Sequence, residues 1–264
     1  MWSALKTEAI ILTAEPHREA DTRYRALTPR HGKIEFIGRG ARKGKAKLSA
    51  HLSLYAIVDL EIIRGARQMT VIGVERREAF SGLANSLEHR LLASAAGALL
   101  DKTVKPDFED LDLYEEFLGL LRFLDAVPSL PLTRNTLLLG GFLLRLLRLL
   151  GYDLELTSCL SCKDDIVPLS FRWHDGRGGL VCTNCVLKFP QDWFASRAIE
   201  EEIVMLLRFA RDAAYTDLLR PALKADHVGA FASCVHDLMR THVPGYTESP
   251  YWHLIPAMEP RAIS

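Results

Sequence analysis

Four of the five cysteines in this 264-residue chain occur as two closely spaced pairs. The segments C-L-S-C, beginning at Cys159, and C-T-N-C, beginning at Cys182, form a C-x2-C-x19-C-x2-C pattern. Each pair can form a tight knuckle around one metal ion, and four thiolates complete a tetrahedral zinc shell with no position left for a substrate. The pattern therefore predicts one structural Zn²⁺ bound by Cys159, Cys162, Cys182 and Cys185.

Two other interpretations of these cysteines are weaker. Two local disulfides are disfavoured in a reducing compartment, and four unrelated core cysteines are disfavoured by the paired spacing. The residues between the pairs, from Phe171 to Gly179, predict a short hairpin, and His174 within it is an alternative ligand. Cys234 lies in a helical pattern with Phe231 and Leu238 and is interpreted as a core residue.

A second chemically suggestive segment is the basic run G-R-G-A-R-K-G-K-A-K at residues 38–47. It fails the Walker pattern, which needs Gly at 39 and Ser or Thr at 46, and it lacks the third Gly of a dinucleotide-binding turn. Five positive charges in nine residues predict instead a flexible loop that follows a phosphate backbone. The alternative is a solvated loop with no partner.

Further cations share a face with this loop. The two-residue period of a strand places Lys33 with Arg39, and Arg23 with Arg25, on one side of their respective strands. We therefore predict a DNA-binding surface that depends on charge more than on base stacking, because aromatic residues are few in this part. Its predicted residues are Arg23, Arg25, Lys33, Arg39, Arg42, Lys43, Lys45 and Lys47.

No set of residues predicts catalysis. The nine histidines are scattered, and the acidic residues between Asp107 and Asp112 begin a predicted helix, where negative charge suits the helix dipole. We interpret this chain as a non-enzyme. Paired carboxylates of a metal-dependent nuclease stay open as an alternative that no pattern selects.

Charge and hydropathy indicate the compartment of the chain and whether it associates with a membrane. Its 33 basic and 33 acidic residues cancel, but residues 1–80 contain 15 basic against 9 acidic residues. The longest apolar stretch, Thr136 to Leu144, is far shorter than the roughly 18–20 residues that span a bilayer. The N-terminus shows no secretory signal. These features predict a soluble cytoplasmic protein with no membrane partner.

The elements that position these residues fall into two classes. Five short runs rich in Ile, Val, Leu and Thr predict strands in the first 80 residues: 8–13, 22–28, 32–39, 54–63 and 68–75. So many closely spaced strands favour a small closed barrel, because closure removes the strand edges. An OB-fold is the natural candidate, and an SH3-like barrel also fits the strand count.

From Ser81 onward the apolar residues follow a helical period. Helices are predicted over residues 81–104, 111–126, 134–151, 196–216 and 226–242, and the third of them is apolar on nearly all sides, as a central buried helix would be. The fold class is thus a multi-domain α+β protein. We expect an OB-fold barrel at residues 1–80 and a helical domain at 81–264 with a zinc-binding insertion at 157–190.

In combination, several motifs resemble the RecO family of bacterial recombination and repair proteins. They are E-A-I-I-L at residues 8–12, R-E-A-D at 18–21, L-T-P-R-H-G-K at 27–33, R-G-A-R-K at 39–43, D-L-E at 59–61, L-L-R-L-L-G-Y at 146–152 and G-G-L-V-C at 178–182. The resemblance covers most of the chain. It implies an N-terminal OB-fold on a helical domain that carries a zinc knuckle.

The same resemblance implies a function. Family members are non-enzymatic mediators that bind single- and double-stranded DNA and anneal complementary strands. With RecR, they help RecA to replace single-stranded DNA-binding protein, in the bacterial cytoplasm at the nucleoid. The main rival is a cytoplasmic zinc-ribbon adaptor that contacts proteins through its helical part without binding DNA directly.

Overall fold

The computed structural model describes residues 4–42, 50–106 and 108–246. The chain divides into two compact units, Met1–Ser129 and Leu130–Ser264. Among the described residues, no helix is both long and apolar enough to cross a membrane. Each unit is described below by itself.

The first unit begins with five strands: β1 (Ala4–His17), β2 (Asp21–Thr28), β3 (Gly32–Gly38), β4 (Ile57–Arg64) and β5 (Met69–Glu78). They form a closed barrel in the order β1-β2-β3-β5-β4, with β4 pairing back onto β1. One pair of barrel strands, β3 and β5, is parallel and meets at Ile37 and Thr70, while the β1–β2, β1–β4, β2–β3 and β4–β5 ladders are antiparallel. The predicted five-stranded, OB-like barrel is therefore confirmed.

Alternation along the strands builds the interior of the barrel. In β4, Val58, Leu60 and Ile62 point inward, while Asp59 and Glu61 lie on the outer face and are half-buried. Tyr24 of β2 and Phe36 of β3 are opposite one another and stack, with ring centroids 5.5 Å apart. The same alternation puts the basic side chains of β2 and β3 outside, as predicted.

Three helices complete the first unit: α1 (Ser81–Asn85), α2 (Leu87–Thr103) and α3 (Leu111–Ala126). The single helix predicted over residues 81–104 is interrupted at Ser86, which is extended at φ −111° and ψ 122°. Its side chain accepts a hydrogen bond from the His89 N–H, so Ser86 caps α2. Asp110 caps α3 in the same way, through the Leu113 N–H at 2.9 Å.

At Gly32, the first residue of β3, the main chain packs closely against the main chain of Phe108. The φ of Gly32 is +57°, and a Cβ atom placed there would lie 2.2 Å from the Phe108 carbonyl oxygen. Only glycine satisfies both conditions without displacement of the main chain. The turn before it is closed by Thr28, whose hydroxyl accepts from the His31 N–H and donates to the Gly32 carbonyl, each at 2.9 Å.

The second unit is organised around α4 (Leu132–Leu149), which is buried on almost every side, as its sequence predicts. It packs against α6 (Glu201–Asp212) and α7 (Ala225–His242). Gly140 of α4 brings the helices together, because a Cβ atom there would lie 2.3 Å from the Phe231 ring of α7. Cys234 is buried in α7, as its helical pattern predicts.

Between α4 and α6 lies a small lobe that contains the four paired cysteines, β6 (Phe171–His174), β7 (Gly179–Cys182) and α5 (Thr183–Lys188). β6 and β7 form the predicted hairpin, joined by a 3-10 turn. The helix predicted over residues 196–216 begins only at Glu201. The cause is Arg197, which exchanges two main-chain hydrogen bonds of 2.8 Å with Trp173 of β6 and keeps the preceding chain extended.

Candidate metal centre and candidate nucleic-acid interface

The two cysteine pairs meet in the structure. The sulfur atoms of Cys159, Cys162, Cys182 and Cys185 all lie within 4.8 Å of one another. Cys182 ends β7 and Cys185 lies in the first turn of α5, so a strand-to-helix junction forms one knuckle. The other knuckle is a tight turn in which the Cys159 N–H donates to the Asp164 carbonyl at 2.8 Å, and Lys163 has a φ of +65°.

Main-chain groups around the cluster favour thiolate sulfur. The N–H groups of Ser161 and Cys182 donate to the Cys159 sulfur at 3.4 and 3.3 Å. Burial alone would raise the pKa of the Cys159 thiol, but the N–H groups directed at it lower that pKa to about 7. The Asp164 main chain lowers the pKa of Cys162, yet desolvation and the neighbouring thiols raise it to about 12.

The donor set fits zinc. A tetrahedron with Zn–S bonds of about 2.3 Å has edges of about 3.8 Å, and the sulfur atoms of Cys162 and Cys182 are 3.9 Å apart. All four cysteines are free of disulfides. Four thiolates this close together would repel one another, and a divalent cation bound between them would offset that repulsion. The cluster is therefore consistent with a zinc site.

His174 is not part of the cluster. Its Nδ1 accepts from the Arg177 N–H at 3.2 Å, and its ring packs edge-on against Trp193 at 5.8 Å. Burial lowers the pKa of this imidazole, as does the nearby Arg177. No other group of three or more His, Cys, Asp or Glu side chains within the described ranges is arranged to bind a metal ion.

The predicted cations divide into two groups by their surroundings. Arg39, just beyond the end of β3, is exposed, and its side chain has no ion-pair partner among the described residues. The exposed Arg42 donates to the main-chain carbonyls of Arg18 and Glu19, which anchor it without neutralising its charge. Lys43, Lys45 and Lys47 lie outside the described residues.

The cations on the strands have acidic partners. Arg23 lies 3.5 Å from Glu35 and 3.2 Å from the His17 Nδ1 atom. Arg25 and Lys33 converge on Asp101, a residue of α2. The structure thus brings these two side chains together, but on a carboxylate of the same unit. Their assignment to a DNA surface stays a prediction.

Asp101 is the residue of this interface that sequence reasoning missed. It is 76 and 68 positions away from Arg25 and Lys33, so no local pattern connects the three residues. One signal was present in the sequence. Asp101 lies in the last turn of α2, where a carboxylate opposes the helix dipole unless a cation pairs with it.

Comparisons with known proteins match both parts of the chain. The family model "Recombination protein O N terminal" matches residues 1–76, and "Recombination protein O C terminal" matches residues 84–247. A DNA repair protein RecO from Roseiflexus sp. is 31% identical over 68% of this chain and 62% of its own length.

Two further relatives extend the match. DNA repair protein RecO of Dehalococcoides mccartyi (strain CBDB1) is 27% identical over 81% of each chain. The Clostridium perfringens protein of that name is 25% identical over 84% of this chain and 87% of its own. Since the two family models follow one another in the order of the observed barrel and helical region, the chain belongs to the RecO family of recombination and DNA repair proteins.

Proposed function

We propose that this chain acts in DNA repair and recombination as a mediator that has no catalytic step of its own. In this proposal it binds single- and double-stranded DNA and anneals complementary strands. With RecR, it helps RecA to replace single-stranded DNA-binding protein. Its place of action is the bacterial cytoplasm, at the nucleoid.

The observation that carries the proposal is the position of the basic loop. Arg39 and Arg42 are exposed where the chain leaves β3, and three lysines follow within five residues of Arg42. The loop begins on a rigid support, because the Arg42 N–H donates to the Ala20 carbonyl at 3.0 Å and the Gly40 N–H to the Asp21 carboxylate at 2.8 Å. Phosphate groups can contact the Arg39 and Arg42 side chains without displacing a carboxylate.

Annealing follows from the same charges. Two DNA strands repel one another through their phosphates, and a cationic surface that binds both lowers this repulsion and raises the encounter rate. The step needs neither a nucleotide nor a catalytic group. When zinc is bound by the four cysteines it supplies a cross-link between the two knuckles, because a four-thiolate shell leaves no coordination position open.

The salt dependence of DNA binding tests this proposal. If the five cations of the loop contact phosphates, the slope of log affinity against log salt for single strands should be about −3.5, at about 0.7 for each contact. The double variant Arg42→Ala, Lys43→Ala should flatten that slope by roughly one to two units. Annealing of strands coated with single-stranded DNA-binding protein should weaken in parallel and proceed equally with and without ATP.

A matched control removes two exposed cations from the helices of the first unit. The variant Arg90→Ala, Arg122→Ala changes one position each in α2 and α3 and loses the same charge. We expect it to retain most of the wild-type slope. An unchanged slope in the Arg42 and Lys43 variant would contradict the proposal. Wild-type protein without salt-sensitive DNA binding would favour the adaptor function instead.

A further inference from the structure

Two outward-facing cations of the barrel share one carboxylate. The Arg25 Nε atom lies 2.8 and 3.0 Å from the two carboxylate oxygens of Asp101, and the Lys33 Nζ atom lies 3.6 Å from one of them. Only 15–22% of each of the three side chains is exposed. The guanidinium and the ammonium group point at the same position and are largely buried. Two cations arranged in this way form an anion-binding site.

The two cations are also positioned by groups other than this carboxylate. Arg25 pairs with Glu15 of β1 at 2.5 Å, through its terminal nitrogen. Lys33 donates a hydrogen bond to the main-chain carbonyl of Asp101, which remains when the side chain is replaced. Both residues lie on adjacent strands whose register is set by the ladder of β2 and β3. The site should therefore retain its shape without the Asp101 carboxylate.

The anion that this site would accept has the chemistry of a phosphodiester. Guanidinium groups bind carboxylates and phosphates with the same planar donor geometry, and an ammonium group adds a point charge. Asp101 therefore occupies the place that a backbone phosphate would take. Because β3 continues directly to Arg39, the site is on the strand that leads into the basic loop.

We propose that Arg25 and Lys33 form a phosphate site of the DNA-binding surface and that Asp101 occupies it as an internal competitor, which limits the affinity for DNA. This inference rests on the proposed function. Asp101 is thus an affinity-determining residue. A solely structural ion pair makes the opposite prediction, that removal of the carboxylate lowers stability and leaves DNA binding unchanged.

The test is a comparison of full-length variants in binding to a single-stranded oligonucleotide between low and high salt. Asp101→Ala removes the charge, opens the space and keeps a good helix former in α2. One added phosphate contact should steepen the slope by about 0.7 and tighten binding about fivefold at 0.1 M salt. Asp101→Asn removes the charge but fills the space, so we expect less than half of that gain.

Two controls separate the site from general charge effects. Asp59 pairs with Arg77 at 2.6 Å on another face of the barrel, so Asp59→Asn removes an equivalent carboxylate and should leave the slope unchanged. In a background with Arg25→Gln and Lys33→Gln, Asp101→Ala should give no gain. A further variant, Glu15→Gln, removes the second carboxylate that pairs with Arg25, at an exposed position of β1 and without changing α2. It should tighten DNA binding by less than Asp101→Ala does, and only when Arg25 is present.

The inference is overturned if Asp101→Ala, folded as judged by circular dichroism, binds DNA no tighter than the wild type. It is equally overturned if Asp59→Asn gives the same gain. Should the replacement of Asp101 prevent folding, an unchanged affinity in Glu15→Gln overturns it. In each of these cases the wild-type protein still binds DNA, so only the inference fails. If the proposed function itself is wrong, the wild-type protein will not bind DNA.

Discussion

Cys159 and Cys162 occupy the same knuckle but differ in environment. Cys159 is fully buried and receives main-chain N–H groups, whereas Cys162 is exposed. Exposure makes Cys162 the sulfur that solvent and chelators would reach first if the cluster binds a metal ion, while Cys159 lies against the small core formed with Val181 and Trp193. Loss of the exposed ligand should therefore release the metal with little direct damage to packing.

We expect Cys162→Ser to lose bound zinc and to lower the melting temperature by about 5–10 °C, because a metal site contributes its binding free energy to folding. Elemental analysis of protein purified in reducing buffer, with a thermal melt, measures both effects. Cys234→Ser is the control, since Cys234 lies outside the cluster and should leave one zinc per chain. Wild-type protein with well under half an equivalent of zinc would contradict the assignment.

His89 of α2 should make stability depend on pH. Burial lowers the pKa of this imidazole below its ordinary value of 6.5, and the Leu124 main chain and Glu88 offset only part of the effect. The folded chain then takes up a proton less readily than the unfolded chain, so acid favours unfolding. The contribution of His89 is complete above pH 6.5 and is lost progressively below it.

Urea denaturation at pH 7.5 and pH 5.5 measures this dependence. His89→Leu should unfold with a smaller difference between the two pH values than the wild type, and one group with an unfolded pKa of 6.5 limits the change to at most about 1.4 kcal/mol. Leu83→Ala is the control, because it removes buried apolar atoms but no titratable group, so it should retain the wild-type pH difference. An equal difference in the His89 variant would show that another group is responsible.

At the scale of elements, Gly32 limits how β3 can begin. We expect Gly32→Ala to cost about 2–3 kcal/mol of unfolding free energy, because it adds a Cβ against the Phe108 carbonyl and places alanine at positive φ. Gly119→Ala in α3 is the matched control. A Cβ atom there meets nothing within 4 Å, so the variant should gain roughly 0.5–1 kcal/mol. Chemical denaturation that shows equal effects would refute the steric argument.

The elements also show what could be predicted from the sequence. Runs rich in Ile, Val, Leu and Thr predicted all five barrel strands, and a helical pattern predicted α3 with the bounds that the structure shows. The break at Ser86 and the late start of α6 were missed. Both depend on hydrogen bonds that a pattern of apolar residues does not contain: the cap from Ser86 to His89, and the exchange between Arg197 and Trp173.

The same distinction applies to the site residues: those that belong to a local sequence pattern were predicted, and a contact between distant residues was not. The four cysteines were predictable because C-x2-C spacing is itself the geometry of a knuckle. Arg39 and Arg42 were predicted by charge density, and both are exposed in the structure. The Asp101 contact was not predictable, because it joins a strand to a helix more than 60 residues away.

At the scale of the whole molecule, the extent of the first unit bears on the predicted boundary after Phe80. The compact unit continues to Ser129. The Tyr114 hydroxyl of α3 donates to Glu8 of β1 at 2.8 Å, and burial together with this carboxylate raises the pKa of Tyr114. Polar contacts therefore join the barrel to α2 and α3, in addition to the close contact of Gly32 with the Phe108 carbonyl.

We predict that a fragment of residues 1–129 unfolds cooperatively and that a fragment of residues 1–80 melts at a temperature at least 10 °C lower, because the shorter fragment loses the contacts of α2 and α3 with the barrel. Circular dichroism melts of both fragments measure the difference. Equal melting temperatures would support a barrel that folds independently and ends at residue 80.

The order of strands in the barrel has a consequence for how the chain folds. The contacts of β1 with β2, of β2 with β3, and of β4 with β5 all join neighbours in sequence, and each can form after closure of a short loop. Joining β1 to β4 requires residues about 50 positions apart to meet, and the parallel contact between Ile37 and Thr70 is a single pair. Pairings between distant segments form slowly. We therefore expect a three-stranded meander and a two-stranded hairpin to appear first, with closure of the β3–β5 junction as the last event.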